Sequence, residues 1–421
     1  MSTKKLLFVS PRFLFPLDQG GRIRTVNILR HLKSREKFEI VLASPAPCGA
    51  AARYADEIAR ACHRFISWPE SAVGTLRKAL LLPHALPVTV AADRSTTGAA
   101  RIADEIGRGI DLVLADFPHA VPLLPAQLPP AAIFTHNVEA EIFERHATTA
   151  AGLRRRIWHD QGKKMRRFEA AALRRFDTVI AVSKRDADAL STRYGLPRVA
   201  VIDTGVDLDF FSVTPEPPDN PGEAGGMAVF SGAMDSRSNI DGVRFLLREV
   251  WPLVVRRRPE ARALIVGRNP PADLVNEAVA RGYAWEFTGY VEDVRTHTAR
   301  GHVFVIPLRV GSGTRIKAFE AMAAGRAVVS TALGIEGLDV EPGTHFLQAD
   351  QPLDFAEAML RLLNDGALRR KFATAARARV EERFSWGRVA RQFEDILFAT
   401  IQRPGRVETG SLTGKRGAHD Q

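Results

Sequence analysis

Residues 303–331 read VFVIPLRVGSGTRIKAFEAMAAGRAVVST. The segment begins with a continuous apolar run at 303–307, which predicts a buried strand. A loop containing Gly311 and Gly313 follows, and the residues after it predict an α-helix. A second apolar run, at 327–331, predicts another strand. This succession of strand, glycine loop, helix and strand is the repeating unit of a parallel α/β sheet.

The junction between the loop and the helix predicts a ligand site. Glycine lets the backbone come close to a ligand, and the start of a helix directs N–H groups and a positive dipole end toward it. Such a junction suits a diphosphate, which we expect the backbone around Ser312, Gly313, Thr314 and Ile316 to bind. Glu320, in the second turn of the helix, could accept hydrogen bonds from a ribose diol. Glycine turns also occur in α/β proteins that bind nothing, so this segment alone leaves both interpretations open.

Length and composition favour a two-domain protein of the cytoplasm. The chain has 421 residues, of which 45% are hydrophobic and 25% are charged, and this is typical of a globular protein with two domains of about 200 residues. Cys48 and Cys62 give neither a disulfide framework nor metal-ligand spacing, which favours a reducing compartment. The start of the chain predicts a buried strand rather than a signal peptide, and no segment predicts a membrane span.

A net charge of +11 indicates an anionic partner, for which nucleic acid, an anionic membrane surface and phosphorylated substrates are candidates. A general arginine-rich composition explains the same charge without any partner.

Strand and helix patterns alternate along both halves of the chain and predict parallel sheets that bind ligands at the carboxyl ends of their strands. Between the halves, PEPPDNPGEAGG at 215–226 is rich in proline and glycine and predicts a linker. A helix predicted from residue 240 to about 257 contains Pro252, where we expect a kink. The predicted organisation is an N-terminal domain at 1–205, a linker at 206–226, a C-terminal domain at 227–384, a helix at 385–402 that packs back on the first domain, and a disordered tail at 403–421.

Four blocks of sequence resemble retaining glycosyltransferases of family 4, which have the GT-B fold. They are FPLDQGGRIRTVNILRHL (15–32), THNVEAEIFER (135–145), DTVIAVSKRDADAL (177–190) and the segment at 303–331. The segments IDTGVDLDFF (202–211) and FTGYVEDVR (287–295) add to the resemblance. It implies an α/β fold of two Rossmann-like domains that face each other across a cleft. It also implies a nucleotide-sugar donor bound mainly by the C-terminal domain, and a saccharide or lipid-linked acceptor bound by the N-terminal domain.

Within that family, SGAMDSRSNIDGVRFLLREVWP (231–252) and IVGRNP (265–270) resemble sugar transferases associated with exosortase and exopolysaccharide gene clusters. This resemblance implies a role in exopolysaccharide biosynthesis.

The chain departs from the family pattern at two places. The family motif has two glutamates separated by seven residues; the second corresponds to Glu320, but Ser312 stands where the first is expected. The family also commonly has an arginine and a lysine after the first strand of the C-terminal domain, where this chain has Ala233 and Ser238. Since a departing diphosphate gains negative charge, a cation is still required. The candidates to supply it are Arg237, Arg315 and Lys317, and Arg315 is closest to the loop. Family precedent implies no bound metal and no tightly bound cofactor.

Two N-terminal segments contain further candidate site residues. His136 follows a predicted buried strand, and the resemblance implies that it helps to position the donor sugar; alternatively it only caps the strand. Asn137 and Glu139 belong to the same segment, and Glu139 could serve only to cap the next helix. Gly20 and Gly21 open a helix predicted to run through Leu32, and they also predict a glycine loop that approaches the donor phosphates or the acceptor.

The segment at 153–175 is strongly basic and partly amphipathic. Its apolar residues can form one side of a helix, which could lie on an anionic membrane surface, as would suit a lipid-linked acceptor. A solvated helix face explains the pattern equally well. Its nine basic residues are Arg154, Arg155, Arg156, Lys163, Lys164, Arg166, Arg167, Arg174 and Arg175.

These observations together predict an enzyme that transfers a sugar from a nucleotide-sugar donor to a saccharide or lipid-linked acceptor with retention of configuration. A nucleotide-sugar 2-epimerase of the same fold is the nearest alternative. A nucleic-acid-binding protein is supported only by charge and is disfavoured, because four tyrosines offer few rings for base stacking. The first strand is not followed by G-x-G-x-x-G, which disfavours a dehydrogenase.

Overall fold

The computed structural model describes residues 3–17, 19–70, 74–215, 226–310 and 316–403. Its first sheet has seven strands in the order β3-β2-β1-β4-β5-β6-β7, and all neighbours pair in parallel. The strands are β1 (Lys4–Val9), β2 (Phe38–Ala46), β3 (Arg64–Pro69), β4 (Leu112–Asp116), β5 (Ala131–Phe134), β6 (Thr178–Ala181) and β7 (Val199–Val201).

Helices cover both faces of this sheet. Side chains alternate along β1, so that Leu6 and Phe8 enter one hydrophobic core and Leu7 and Val9 enter the other. The helices of this part of the chain are α1 (Gly20–Ser34), α2 (Ala50–Arg53), α3 (Ala55–Ala61), α4 (Thr75–Leu80), α5 (Val88–Ala92), α6 (Thr96–Gly107), α7 (Glu139–Thr149), α8 (Gly152–Leu173) and α9 (Lys184–Tyr194).

The second sheet has six parallel strands in the order β10-β9-β8-β11-β12-β13. They are β8 (Met227–Ser231), β9 (Arg262–Val266), β10 (Trp285–Phe287), β11 (Val303–Ile306), β12 (Ala327–Ser330) and β13 (Leu347–Gln348). The accompanying helices are α10 (Arg237–Phe245), α11 (Trp251–Arg257), α12 (Ala272–Ala280), α13 (Val294–Thr298), α14 (Ile316–Ala323), α15 (Pro352–Asn364), α16 (Gly366–Arg383) and α17 (Trp386–Ile401). Two parallel sheets with helices between their strands confirm the predicted α/β architecture of two Rossmann-like domains.

Each sheet has one point at which the strand order reverses. In the first sheet the reversal lies between β1 and β4, and in the second it lies between β8 and β11. Ligands of open α/β sheets bind at such points, outside the carboxyl ends of the strands. The fold therefore places the segments that follow β1, β4, β8 and β11 at the two expected ligand sites.

The last helix belongs to the first domain in space. Val389, Phe393 and Leu397 of α17 lie in a hydrophobic core of the first sheet, and the ring of Phe393 meets that of Phe134 at 5.2 Å between centroids. Where the chain returns, the Val206 N–H donates to the Phe384 carbonyl at 2.7 Å. The two passages of the chain between the domains thus lie side by side.

Several predicted elements differ from those observed. Gly20 and Gly21 are the first two residues of α1, not a loop, because α1 begins as soon as the chain has turned at Gln19. The helix around Pro252 is interrupted earlier than expected, by a π-helical turn at Leu246–Val250, and Pro252 is accommodated in the first turn of α11. The outer strand β3, which lacks a continuous apolar run, was not predicted. Of the predicted linker and tail, 216–225 and 404–421 lie outside the described residues.

Candidate active site

A cavity of about 480 Å³ opens at the strand-order reversal of the first sheet. Its walls are formed by the segment after β1, the start of α1 and the segments after β4 and β5. The second domain contributes Ile316, the first residue of α14. The lining residues are Ser10, Pro11, Arg12, Phe13, Leu14, Gln19, Gly20, Gly21, Arg22, Arg24, Asp116, Phe117, His119, His136, Asn137, Glu139, Ile142 and Ile316.

The two glycines let α1 begin close to its neighbours. A Cβ on Gly20 would lie 3.0 Å from the Ile316 side chain, and a Cβ on Gly21 would lie 3.5 Å from the Phe117 ring. The N-cap residue, Gln19, makes no side-chain cap, and the first turn of α1 has no acidic residue. The start of α1 therefore presents backbone N–H groups and a positive dipole end to the cavity.

His136 lies in the cavity wall, held by buried side chains on both sides. Its Nε2 is 2.8 Å from Asp116 Oδ1, its Nδ1 is 3.1 Å from Arg24 Nη1, and its ring stacks on Phe117 at 4.1 Å between centroids. Arg24 in turn donates to the Thr204 hydroxyl. Because an arginine only donates, Nδ1 must be the acceptor and Nε2–H the donor to Asp116. A sugar hydroxyl that uses a ring nitrogen of His136 must therefore replace one of these partners.

Burial shifts the pKa values of Arg24 and His136 and so determines which of them is charged. Desolvation lowers the pKa of Arg24 to about 10, with Asp186 and Asp116 opposing the effect, so Arg24 remains charged at neutral pH. Desolvation also lowers the pKa of His136, against the opposing effect of Asp116. His136 is therefore a neutral imidazole between a cation and an acceptor.

Lys317 reaches the carboxyl end of β8. Its Nζ is 2.8 Å from Asn239 Oδ1 and 4.2 Å from the centre of the Phe230 ring, and a Cβ on Gly232 would lie 2.7 Å from it. This is the end of the strand after which the family resemblance predicts cationic residues, at the positions of Ala233 and Ser238. A lysine from α14 thus approaches the end of β8 from a neighbouring element.

Glu320 lies one turn after Lys317 on α14 and is half-buried. Burial raises the pKa of this carboxyl to about 7, and the charge of Lys317 opposes that rise. Of the other predicted residues in this region, Arg237 is the exposed first residue of α10 and does not line the cavity. Ser312, Gly313, Thr314 and Arg315 lie outside the described residues.

Several cavity residues have no signal in the sequence that identifies them as functional. Asp116, the last residue of β4, and His119 in the following 3₁₀ helix are of this kind. The sequence places Arg24 beside the glycines but gives no indication of its contact with Thr204, which is 180 residues away. Within the described ranges, no group of three His, Cys, Asp or Glu side chains is arranged to hold a metal ion.

The basic segment at 153–175 forms most of α8. Gln161, Met165 and Glu169 face inward, whereas Arg154, Arg155 and Arg156 are exposed beside Leu153, whose side chain is 73% exposed. Farther along, Lys164 pairs with Asp160, and Arg166 with Glu144. Among the helices that the structure describes, none has the length and apolar character needed to cross a bilayer.

Two family models match consecutive parts of the chain. The one described as Glycosyltransferase Family 4 matches residues 19–210, and the one described as Glycosyl transferases group 1 matches residues 226–365. The structure is similar to that of sucrose-phosphate synthase from Thermosynechococcus elongatus, with a TM-score of 0.67 at 18% identity over 94% of this chain and 99% of that one. The chain has the GT-B fold, and each of its two domains matches a family model of glycosyltransferases. The predicted fold class is thereby confirmed.

The chain is also similar to another solved structure and, over part of its length, to curated relatives. Anabaena HepE, solved with UDP and glucose, has a TM-score of 0.64 at 15% identity over 94% of this chain and all of that one. A phosphatidyl-myo-inositol mannosyltransferase of Mycobacterium tuberculosis is 28% identical over 218 residues, which are 50% of this chain and 56% of the relative. That of Mycolicibacterium smegmatis is 31% identical over 208 residues, 48% and 52% of the two chains. The match thus spans about half the length of these curated relatives.

The buried network around Arg24 leads to a prediction about the pKa of His136. Replacing Arg24 with methionine removes the cation next to Nδ1, so the pKa of His136 should rise. An NMR pH titration of labelled histidine measures this, with the resonance assigned from a His136→Gln protein. Arg22→Met, which changes another arginine of the same cavity, is the matched control. An unchanged pKa in the Arg24 variant would show that Arg24 does not act on His136 in solution.

Proposed function

We propose that this glycosyltransferase moves a sugar from a nucleotide-sugar donor to a saccharide or lipid-linked acceptor, with retention of anomeric configuration. The observation that carries the proposal is the position of Lys317 at the carboxyl end of β8, beside the strand-order reversal of the second sheet. A cation at that place faces the site at which open α/β sheets bind phosphate-bearing ligands.

In this proposal, Lys317 supplies the positive charge that other family members supply from the segment after β8. Breaking the bond between the sugar and the diphosphate leaves negative charge on the phosphate oxygens, which a fixed cation stabilises. Alanine and serine at 233 and 238 leave Arg237 as the cationic residue of the segment after β8, and its side chain is exposed. Lys317 approaches the same space from α14, held in place by Asn239 and the face of Phe230. Arg315, at the adjoining end of the glycine loop, and the exposed Arg237 stay as additional candidates.

Glu320 completes the donor site in this proposal. Its carboxylate accepts the two hydroxyl hydrogens of the ribose, and backbone N–H groups from Ser312 to Ile316 bind the diphosphate. Recognition of the nucleotide thus needs Glu320 in its ionised form. Its raised pKa, about 7, makes donor binding sensitive to pH in the neutral range.

The reaction needs no carboxylate pair from the protein. The acceptor oxygen forms its bond to the anomeric carbon on the face from which the diphosphate departs, and the leaving phosphate oxygen takes up the proton of the acceptor hydroxyl. Catalysis then consists of positioning both substrates and stabilising the departing charge, without a tightly bound cofactor. His136, Gly20 and Gly21 form the wall of the first domain against which the substrates are positioned.

The acceptor and the cellular role are inferred from the relatives and from α8. The names of the mycobacterial relatives specify a lipid acceptor, and the exposed arginines of α8 suit contact with an anionic membrane. We place the enzyme in the cytoplasm, at the inner face of the membrane. The segments 231–252 and 265–270 support a role in exopolysaccharide biosynthesis.

Removing the Lys317 charge should impair transfer. Screening UDP-, GDP- and ADP-sugars by thermal shift identifies the donor, and release of the nucleoside diphosphate measures turnover. Lys317→Met should lower kcat/KM by about 100-fold or more, as loss of a charge-stabilising donor does elsewhere, and Lys317→Arg should recover part of it. Lys371→Met, an exposed change on α16, is the control. Equal turnover in both methionine variants would remove Lys317 from the site, and formation of an epimerised nucleotide sugar would instead favour the epimerase.

Donor affinity should depend on pH through Glu320. The free carboxyl has a raised pKa of about 7, so below pH 7 it is mostly protonated and cannot accept both ribose hydrogens. Affinity should therefore fall with decreasing pH, approaching about tenfold per pH unit. Calorimetry with the identified nucleotide from pH 5.5 to 8.5 measures this. Glu320→Gln should bind more weakly at pH 8 and show no such dependence; a dependence that persists in this variant would assign it to another group.

Binding to vesicles tests the membrane proposal. Changing Arg154, Arg155 and Arg156 together to glutamine should weaken binding to phosphatidylglycerol-containing vesicles by about 1 kcal/mol per charge, about two orders of magnitude in all. The control is a protein in which Arg256, Arg257 and Lys371 are changed to glutamine. It loses the same amount of charge, but from exposed sites of the second domain. Binding by the wild type should also weaken with salt. Equal effects of the two triple changes, or no binding at all, would indicate that α8 is only a solvated face.

A further inference from the structure

Glu139 is a buried acidic residue whose side chain the proposed reaction does not use. It is the first residue of α7, it is 7% exposed, and it lines the cavity three residues after His136. Among the described residues, no hydrogen bond from its carboxyl group is found. A buried polar group without a partner is costly unless a ligand or water satisfies it.

The neighbouring Glu169 has a different, structural task. Its Oε1 accepts the Glu139 N–H at 2.8 Å, and its Oε2 accepts the Ala140 N–H at 3.1 Å and the Tyr194 hydroxyl at 2.6 Å. Glu169 therefore satisfies the first N–H groups of α7 from α8. Because that position is filled, the Glu139 carboxyl is not needed to cap α7 and is directed to the cavity.

The surroundings keep the Glu139 carboxyl neutral at physiological pH. Burial and the adjacent Glu169 raise its pKa to about 8, and Arg12, from the segment after β1, opposes the rise. His119, in the same wall, is uncharged, since burial lowers its pKa to about 4. A neutral carboxyl group offers one O–H donor and one carbonyl acceptor at adjacent positions.

A hydroxyl group is the ligand that fits such a pair, because it can accept from the O–H and donate to the carbonyl. The Glu139 wall belongs to the first domain, which binds the acceptor in the function proposed above. We propose that Glu139 binds a hydroxyl group of the acceptor, and so selects a polyhydroxylated acceptor such as a sugar or a cyclic polyol. This inference rests on the proposed function and names the chemical class that this wall of the cavity recognises.

Substitutions at Glu139 separate recognition of the acceptor from maintenance of the fold. Glu139→Gln retains one donor and one acceptor and cannot ionise, whereas Glu139→Ala removes both. Glu141→Gln, which changes another acidic residue in the first turn of α7 that does not line the cavity, is the matched control. Melting temperatures and the affinity for the identified nucleotide should be similar in all four proteins.

The probes are methyl α-D-mannopyranoside, methyl α-D-glucopyranoside and myo-inositol, whose binding to the nucleotide-loaded protein is measured by NMR titration. Wild type should bind at least one of them. Glu139→Ala should weaken that binding about tenfold, since two net hydrogen bonds are lost, and Glu139→Gln should stay within about threefold of wild type. Above pH 8 wild-type binding should weaken as Glu139 loses its proton, whereas the glutamine variant should not change.

Two outcomes would overturn the assignment of Glu139: binding by the alanine variant equal to that of wild type, or no binding of any probe by a wild type that binds nucleotide. Failure of the wild type to bind any nucleotide sugar would count against the proposed function itself, so the two failures are distinguishable.

Discussion

The contact between Arg24 and His136 holds together the wall on which the cavity depends. Arg24 comes from α1, His136 follows β5, Asp116 ends β4 and Thr204 follows β7, so a single buried network joins four separate segments of the first domain. A buried guanidinium is tolerated only when its donors are satisfied, and removing one partner leaves a charge without compensation. The positions of these segments are therefore interdependent, and the cavity wall is preorganised before any ligand arrives.

The two domains contribute to the cleft in different ways. The first domain supplies a polar wall in which Arg24 and Asp116 lie on either side of His136 and contact its two ring nitrogens. The second domain contributes Ile316 to the cavity, and Lys317 and Glu320 follow it on α14, one turn apart. Both departures from the family pattern, at Ser312 and at Ala233 with Ser238, fall in this second domain. The departures from the family pattern thus lie in the domain for which donor binding is proposed.

Local patterns were sufficient to predict most of the fold. Continuous apolar runs identified β1, β5, β11 and β12, because strands buried on both faces need such runs, and β3 was missed because it lies at an edge. The position of His136 directly after β5 predicted its place at the carboxyl end of the sheet. Contacts between distant residues gave no signal: Arg24 with Thr204, Lys317 with Asn239, and Glu169 with the start of α7. They depend on how whole elements pack, which no local periodicity encodes. The roles of Ser312, Gly313, Thr314 and Arg315 stay predictions, because these residues lie outside the described ranges.

The return of α17 to the first sheet makes that domain discontinuous in sequence. The chain passes between the domains twice, and the backbone hydrogen bond from Val206 to Phe384 keeps both passages together. Two adjacent connections let the domains rotate about an axis through both connections. They oppose translation of one domain against the other and free twisting. A gene fragment that ended at the linker would encode a first domain without Phe393 and the rest of α17. The hydrophobic residues that α17 covers would then be exposed to solvent. A fragment that is meant to contain the whole first domain must therefore include α17.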